Sequence, residues 1–251
     1  MRWFNEHLPT SGVTIKNLSD DWMGFAISGP NSREIISKLV SVDMSNTSFP
    51  FLSCCSIELG FANAMVARIS LTGELGYEIN VPVGRHSDLY AALMNAGKDL
   101  GLVNIGNRAL DSLRLEKSYG IWNAEFTQGY TPEMSYLKHF IAYDKGDFIG
   151  RDAALKEKET GAKQTLVTLR MDTTDADAPV YAPVKHNSKV VGFVTSSIYG
   201  HYVKQSLALA YVDKEFANPD SDLTVDVIGE ARKAIVITEP AYDPTGSRMR
   251  M

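Results

Sequence analysis

Cysteine is almost absent from this sequence: Cys54 and Cys55 are the only two among 251 residues, and they are adjacent. Neighbouring side chains on a strand point to opposite faces, so a structural disulfide between them is not expected. They read as two ordinary strand thiols rather than a redox pair or metal ligands, and a reducing, cytoplasmic setting fits that reading. Long apolar runs are also missing. No stretch reaches the roughly 18 residues that a membrane helix requires, so no membrane partner is expected. The opening Met1-Arg2-Trp3-Phe4-Asn5-Glu6-His7 meets charged side chains before any apolar run can form, which argues against a secretory leader. Basic excess is lacking as well. The formal net charge is −5 with both signs interspersed, and without a Lys/Arg stripe nucleic acid is a poor partner.

What is present is an ordinary globular composition, 44% apolar and 22% charged, which excludes extended disorder. Apolar periodicity predicts strands at Ile15–Asn17 and Trp22–Ile27 and a helix opening at Gly29-Pro30-Asn31-Ser32, with Ile35, Ile36, Leu39 and Val40 on its inner face. Two further strands are expected at Cys54–Leu59 and Ala64–Leu71, the latter with Met65, Ala67, Ile69 and Leu71 on one face and Arg68 and Ser70 on the other. Thr72-Gly73-Glu74-Leu75-Gly76 suits a hairpin connection. Gly73 and Gly76 are expected at positive-φ positions, and Glu74 as a turn residue in water. In the return strand Tyr77, Ile79 and Val81 share one face and Glu78 and Asn80 the other.

Leu89, Leu93, Ala96 and Leu100 define a helix that Gly101 is placed to cap. Asn107–Lys117 reads as a second helix with Ala109, Leu110 and Leu113 as its core stripe, and Trp122 to Pro132 as an irregular polar-aromatic loop of the kind that borders sites. A short helix begins at Gly150. Composition changes near Gly161. Beyond it lie short strands at Thr165–Met171, Val190–Thr195, Leu207–Val212, Leu223–Ile228 and Ala234–Thr238, the pattern of a small antiparallel barrel or sandwich. The expected division is therefore an α+β region at residues 1–160 and an all-β domain at 161–251.

Four segments carry a more specific signal when taken in order. They are Ser70-Leu71-Thr72-Gly73-Glu74-Leu75-Gly76-Tyr77-Glu78; Gly101 through Gly106 with Leu110-Asp111-Ser112-Leu113-Arg114-Leu115-Glu116-Lys117; Asp144-Lys145-Gly146-Asp147-Phe148-Ile149-Gly150-Arg151; and Gly200-His201 with Ser206–Val212, closed by Glu239-Pro240-Ala241-Tyr242-Asp243-Pro244. In this order they resemble the glycine-cleavage T-protein (aminomethyltransferase) family, and most closely the folate domains that follow flavin domains in sarcosine and dimethylglycine dehydrogenases. The likeness runs over nearly the whole chain from Trp22. It implies the aminomethyltransferase folate-binding fold: a mixed α/β part around a folate channel, ending in a small antiparallel β-barrel.

The resemblance also implies tetrahydrofolate as cofactor. An ionised carboxylate can accept the paired N–H groups on the edge of a pterin, and the family's carboxylate for that task corresponds to Glu78. Alternation alone favours a solvated strand residue at this position; the resemblance is what points to the folate role. Tyr77 and Trp122 join the candidate folate-binding residues, Trp122 either at the channel mouth or as a buried structural tryptophan. Arg108, at the start of the second helix, is a candidate for the folate carboxylates or an exposed helix charge. The loop His201 reads as a surface polar group.

This sequence departs from the family pattern in several places. Leu110 stands where T-proteins usually have Arg, Leu71 where many have Tyr, and Met134 where an acid is expected. Of the family's amino-terminal portion only the end is resembled, by Trp3 through Pro9; the Asp that members place near the reacting nitrogen has no counterpart, so no residue is assigned a catalytic role, and no metal site is expected. The implied activity is folate-dependent one-carbon (aminomethyl or methylene) transfer beside a flavoprotein dehydrogenase domain or subunit. The alternatives are a catalytically inactive folate-binding or flavoprotein-interaction module, or a fragment of a longer enzyme. Neither the amine substrate nor the oligomeric state is fixed by the sequence.

Overall fold

A computed structural model describes residues 1–251. The chain divides into two compact units, the first formed by Met1–Ser70 with Leu75–Val103, the second by Leu71–Glu74 with Asn104–Met251.

The first unit opens with a short exposed helix, α1 (Arg2–His7), and then a segment without regular structure, so the strand expected at Ile15–Asn17 does not form. Every residue from Met1 to Asp21 is exposed: with no neighbour to pair with, that short β-prone run gains nothing from extension. β1 (Trp22–Ser28), β2 (Cys54–Glu58), β3 (Asn63–Ala67) and β4 (Gly76–Pro82) make one antiparallel sheet in the order β1-β4-β3-β2. On one face Ile27, Val66, Tyr77, Ile79 and Val81 are buried, together with Ile35 and Ile36 of α2 (Ser32–Ser37) and Leu89 and Leu93 of α3 (His86–Gly97). Each such side chain taken wholly out of water contributes roughly 1.5–3 kcal/mol. Gly101 ends this helical stretch at φ 74, the left-handed cap expected of it.

Two details differ from the sequence reading. β3 stops at Ala67 and buries Ala64 and Val66, while Met65 is 42% exposed. Arg68 follows Ala64 and Val66 on the buried face, its amide still bonded to the Ser53 carbonyl at 2.8 Å, and its Nη1 donates to the Phe49 carbonyl at 2.8 Å. Gly73 has φ 81 as expected, but Gly76 is not a positive-φ residue. Its need is space: a Cβ there would lie 2.9 Å from the Ile69 carbonyl and 3.0 Å from Ser28 Oγ.

The second unit contains α4 (Asn107–Glu116), α5 (Arg151–Thr160) and a closed antiparallel barrel. α5 ends at Gly161 with φ 76, where the composition changes, and the barrel begins close behind it. Its strands are β5 (Gln164–Met171), β6 (Pro183–His186), β7 (Lys189–Gly200), β8 (Gln205–Asp213), β9 (Leu223–Val227) and β10 (Glu230–Ile237), ordered β10-β5-β8-β7-β6-β9. The barrel interior is filled by Val167, Leu169, Val194, Ala208, Ala210, Val225 and their neighbours. The other face of β8 is buried too, where Leu207, Leu209 and Tyr211 meet Leu115 of α4. β8 therefore reads as a continuous apolar run, covered on both faces.

Candidate functional site

Glu78 stands on the sheet face of the first unit opposite the core. Strand alternation places it between Ala26 on β1 and Ala67 on β3, and the carboxylate is exposed while Tyr77 and Ile79 beside it are buried. Two alanines leave the space above the sheet open at this point, and neither carboxylate oxygen is engaged by another group of the chain. Such a group offers both acceptors to one partner.

Tyr77 has no free surface. It lies in the core of the first unit, stacked at 6.2 Å on Phe49, with its hydroxyl accepting from Arg33 Nε at 3.3 Å. It supports the strand from behind and presents nothing to a ligand on the face that carries Glu78.

Arg108 and Trp122 belong to the second unit. Arg108 is exposed on the first turn of α4 and borders a cavity of about 400 Å³ shared with Asp111, Arg114, Tyr130, Tyr181 and Ser196. Trp122 is 81% exposed, with only an edge contact to the Phe126 ring at 6.1 Å, so it is not a buried structural tryptophan.

Behind that cavity lies a buried polar cluster that the periodicity of α4 does not reveal. The helix buries Ser112, Arg114, Leu115 and Glu116; Ala109 of the expected core stripe is exposed, and Leu110 and Leu113 are half-buried. The reason is hydrogen bonding. Arg114 donates from Nε to Asp111 at 2.8 Å, from Nη1 to the Tyr119 carbonyl at 3.0 Å and from Nη2 to Ser196 Oγ at 3.1 Å. Ser196 in turn donates to Glu125 Oε1 at 2.6 Å, and the Ile121 amide donates to Oε2 at 2.9 Å. Tyr211, whose hydroxyl is pushed up chiefly by burial, donates to the Glu125 carbonyl at 2.7 Å and stacks on Tyr130 at 3.8 Å.

The next turn of α4 serves the β7–β8 connection. Ser112 Oγ donates to the Tyr199 carbonyl at 2.9 Å, and Glu116 Oε1 accepts from the Tyr202 amide at 2.8 Å. His201 contributes its amide to Ser112 Oγ at 3.3 Å, while its side chain is a surface group against Tyr199. Buried Lys117 pairs with Asp243 at 3.3 Å. Glu74 is not a turn residue in water: its Oε1 accepts a hydrogen bond from the Tyr242 hydroxyl and its Oε2 is buried. Burial and the Glu74 carboxylate push the Tyr242 hydroxyl up to about 12. Glu74, Ser112, Glu116, Lys117, Tyr242 and Asp243 all lie in the segments that carry the family resemblance, which do not by themselves show that these side chains meet.

Both cysteines are exposed free thiols. No group of three or more His, Cys, Asp or Glu side chains is placed to hold a metal ion. No helix is long and apolar enough to cross a membrane.

An antiparallel sheet backed by two helices, followed by a closed six-stranded barrel, defines the aminomethyltransferase class of fold. The glycine cleavage system aminomethyltransferase T from Bartonella henselae has it. Its crystal structure matches with a TM-score of 0.79 at 22% identity, over 89% of this chain and 60% of that one. Residues 1–145 match the GCVT N-terminal domain and residues 164–243 the glycine cleavage T-protein C-terminal barrel domain. The chain belongs to the glycine cleavage T-protein family. It is 35% identical to human mitochondrial dimethylglycine dehydrogenase over its whole length, and 31% identical to an aminomethyltransferase of Thermoanaerobacter sp. over 96% of its length. It spans 29% of the dehydrogenase and 65% of the aminomethyltransferase.

Proposed function

We propose that this chain binds tetrahydrofolate through Glu78 and serves one-carbon transfer in a sarcosine or dimethylglycine dehydrogenase-like enzyme, beside a flavoprotein domain or subunit that oxidises the amine. The observation that carries the proposal is the uncommitted Glu78 carboxylate, exposed between Ala26 and Ala67 on the sheet face opposite the core. A flat heterocycle can approach across two alanines, and a carboxylate with both oxygens free can take the paired N–H donors of a pterin edge. Arg108 is proposed to receive the carboxylates of the folate tail, since it borders a polar cavity and no carboxylate of the chain neutralises it. When bound, tetrahydrofolate supplies the nitrogen that accepts the one-carbon unit; the protein's part is to hold and orient it.

Titration calorimetry with tetrahydrofolate tests this. Binding is expected, and Glu78→Gln, which turns one acceptor into a donor facing donors, should weaken it about tenfold or more, as expected for a charge-assisted pair of roughly 1.5–3 kcal/mol. No binding by the unaltered chain, or equal binding by Glu78→Gln, overturns the proposal.

A second reading, a folate-holding module without turnover, is favoured by Met134. Where the family has an acid, this residue is half-buried against the cluster of Leu115, Leu166 and Tyr211. An assay for methylene-tetrahydrofolate with formaldehyde separates the two: product made faster than without protein supports the enzyme, and folate bound but not converted supports the module.

A further inference from the structure

The chain carries a net charge of −5, yet Arg170, Lys204 and Lys233 converge on one cavity of about 400 Å³ on the barrel. Strand geometry brings them there. Arg170 sits on β5 between Leu169 and Met171, which fill the barrel, so its own side chain faces outward. Its partner across the ladder to β10 is Ile235, and Lys233, two residues earlier, lies on the same outer face. Lys204 enters from the β7–β8 turn, held at φ 55.

None of the three forms an ion pair within the chain. Of the carboxylates nearby, Asp175 is neutralised by Arg232 at 3.0 Å, while Asp177 accepts only from the Ser206 hydroxyl at 3.4 Å. Asp172 borders the cavity and Asp177 reaches its wall through Ser206, so three cations face two carboxylates and positive charge remains in excess. Like charges on adjacent strands repel, and a concave, low-dielectric wall concentrates their field. Thr174, Gln205 and the Tyr199 hydroxyl border the same space and can donate hydrogen bonds.

We propose that this cavity is an anion site for a small dianion of the phosphate-monoester class. Three converging cations suit a multiply charged oxyanion. The Arg170 fork suits a pair of phosphate oxygens, and the donors around the rim suit the remaining ones. The site is separate from the folate reading and does not depend on it.

Titration calorimetry of the full chain with inorganic phosphate at pH 7.5, ionic strength held constant with chloride, tests the proposal. One saturable site is expected. Arg170→Gln and Lys233→Gln, both changes at exposed positions, should each weaken it about fivefold or more, whereas Lys189→Gln elsewhere on the barrel and Glu78→Gln should leave it unchanged. Phosphate should also raise the unfolding temperature of the unaltered chain more than that of Arg170→Gln. No saturable binding, binding that Arg170→Gln and Lys233→Gln both retain, or succinate bound in preference to phosphate would each overturn it.

Discussion

Arg114 and Glu125 are buried together, their closest charged atoms 4.0 Å apart, and the Ser196 hydroxyl bridges them by accepting from the guanidinium and donating to the carboxylate. The relationship joins α4, the loop after it and β7. It explains why a helix with so polar an inner face is stable: every buried charge has a partner. Removing one partner leaves the other uncompensated in a low-dielectric setting. Arg114→Met and Glu125→Met are each expected to cost about 3–5 kcal/mol in urea unfolding, with the double substitution costing less than the two together. Single losses below about 1 kcal/mol would show that the pair is not what holds α4 to the barrel.

The Lys117–Asp243 pair gives a pH dependence with a definite sign. Burial pushes Asp243 up, but hydrogen bonds from Ser247 and the Arg248 amide, with the Lys117 ammonium, outweigh it and bring the carboxyl from 3.8 to about 2. A folded-state value below the unfolded one adds stability that is complete above the unfolded pKa and is lost as pH falls through the folded one. Acid unfolding followed by circular dichroism should therefore show a loss between about pH 4 and pH 2 that is smaller in Asp243→Asn. That variant should be less stable at pH 7 and closer to the unaltered chain at pH 2. Parallel curves across that window would contradict the assignment.

The barrel was the most legible part of the chain, and particular residues show why. β5 and β8 run as nearly unbroken apolar or β-branched stretches, β5 shortly after Gly161 and β8 after the short turn from β7. β6 was missed. It has four residues and starts at Pro183, which cannot donate to a ladder and reads as a turn; only closure between β7 and β9 makes it a strand. Glu78 was legible because alternation fixes its face once Tyr77, Ile79 and Val81 are assigned to the core. The buried face of α4 was not. Periodicity ranks apolar residues, and here Ser112, Arg114 and Glu116 are buried to satisfy backbone and side-chain groups on strands far away in sequence. Glu74 was misread for the same reason, since its partner Tyr242 lies at the other end of the chain.

Gly192 tests barrel closure where β7 runs alongside β8. A Cβ at this position would lie 2.1 Å from the Tyr211 carbonyl oxygen and 2.8 Å from Val212 Cα, both backbone atoms that cannot turn aside. Gly192→Ala is expected to destabilise by about 3 kcal/mol or more, because the two strands must separate locally. Gly84→Ala, with nothing within 4 Å of the added atom, serves as the control and should change stability little. Equal midpoints for the two variants in thermal unfolding would mean that β7 and β8 do not approach as closely as described.

The proposed roles of Glu78 and Arg108 can be tested separately, because they concern different ends of one ligand. Glu78 is assigned to the heterocycle, Arg108 to the tail carboxylates. Tetrahydropteroate keeps the ring system and lacks the glutamate. Arg108→Gln should therefore weaken tetrahydrofolate by about tenfold, the scale of one lost charge-assisted contact, and leave tetrahydropteroate binding unchanged. Glu78→Gln should weaken both by similar factors. Arg108 is exposed on the first turn of α4 and its carbons cover no core, so a general loss of stability is not expected to confuse the comparison. If Arg108→Gln affects both ligands equally, or neither, its place on the rim of the polar cavity is that of an ordinary solvated helix charge and the tail must be held by other residues.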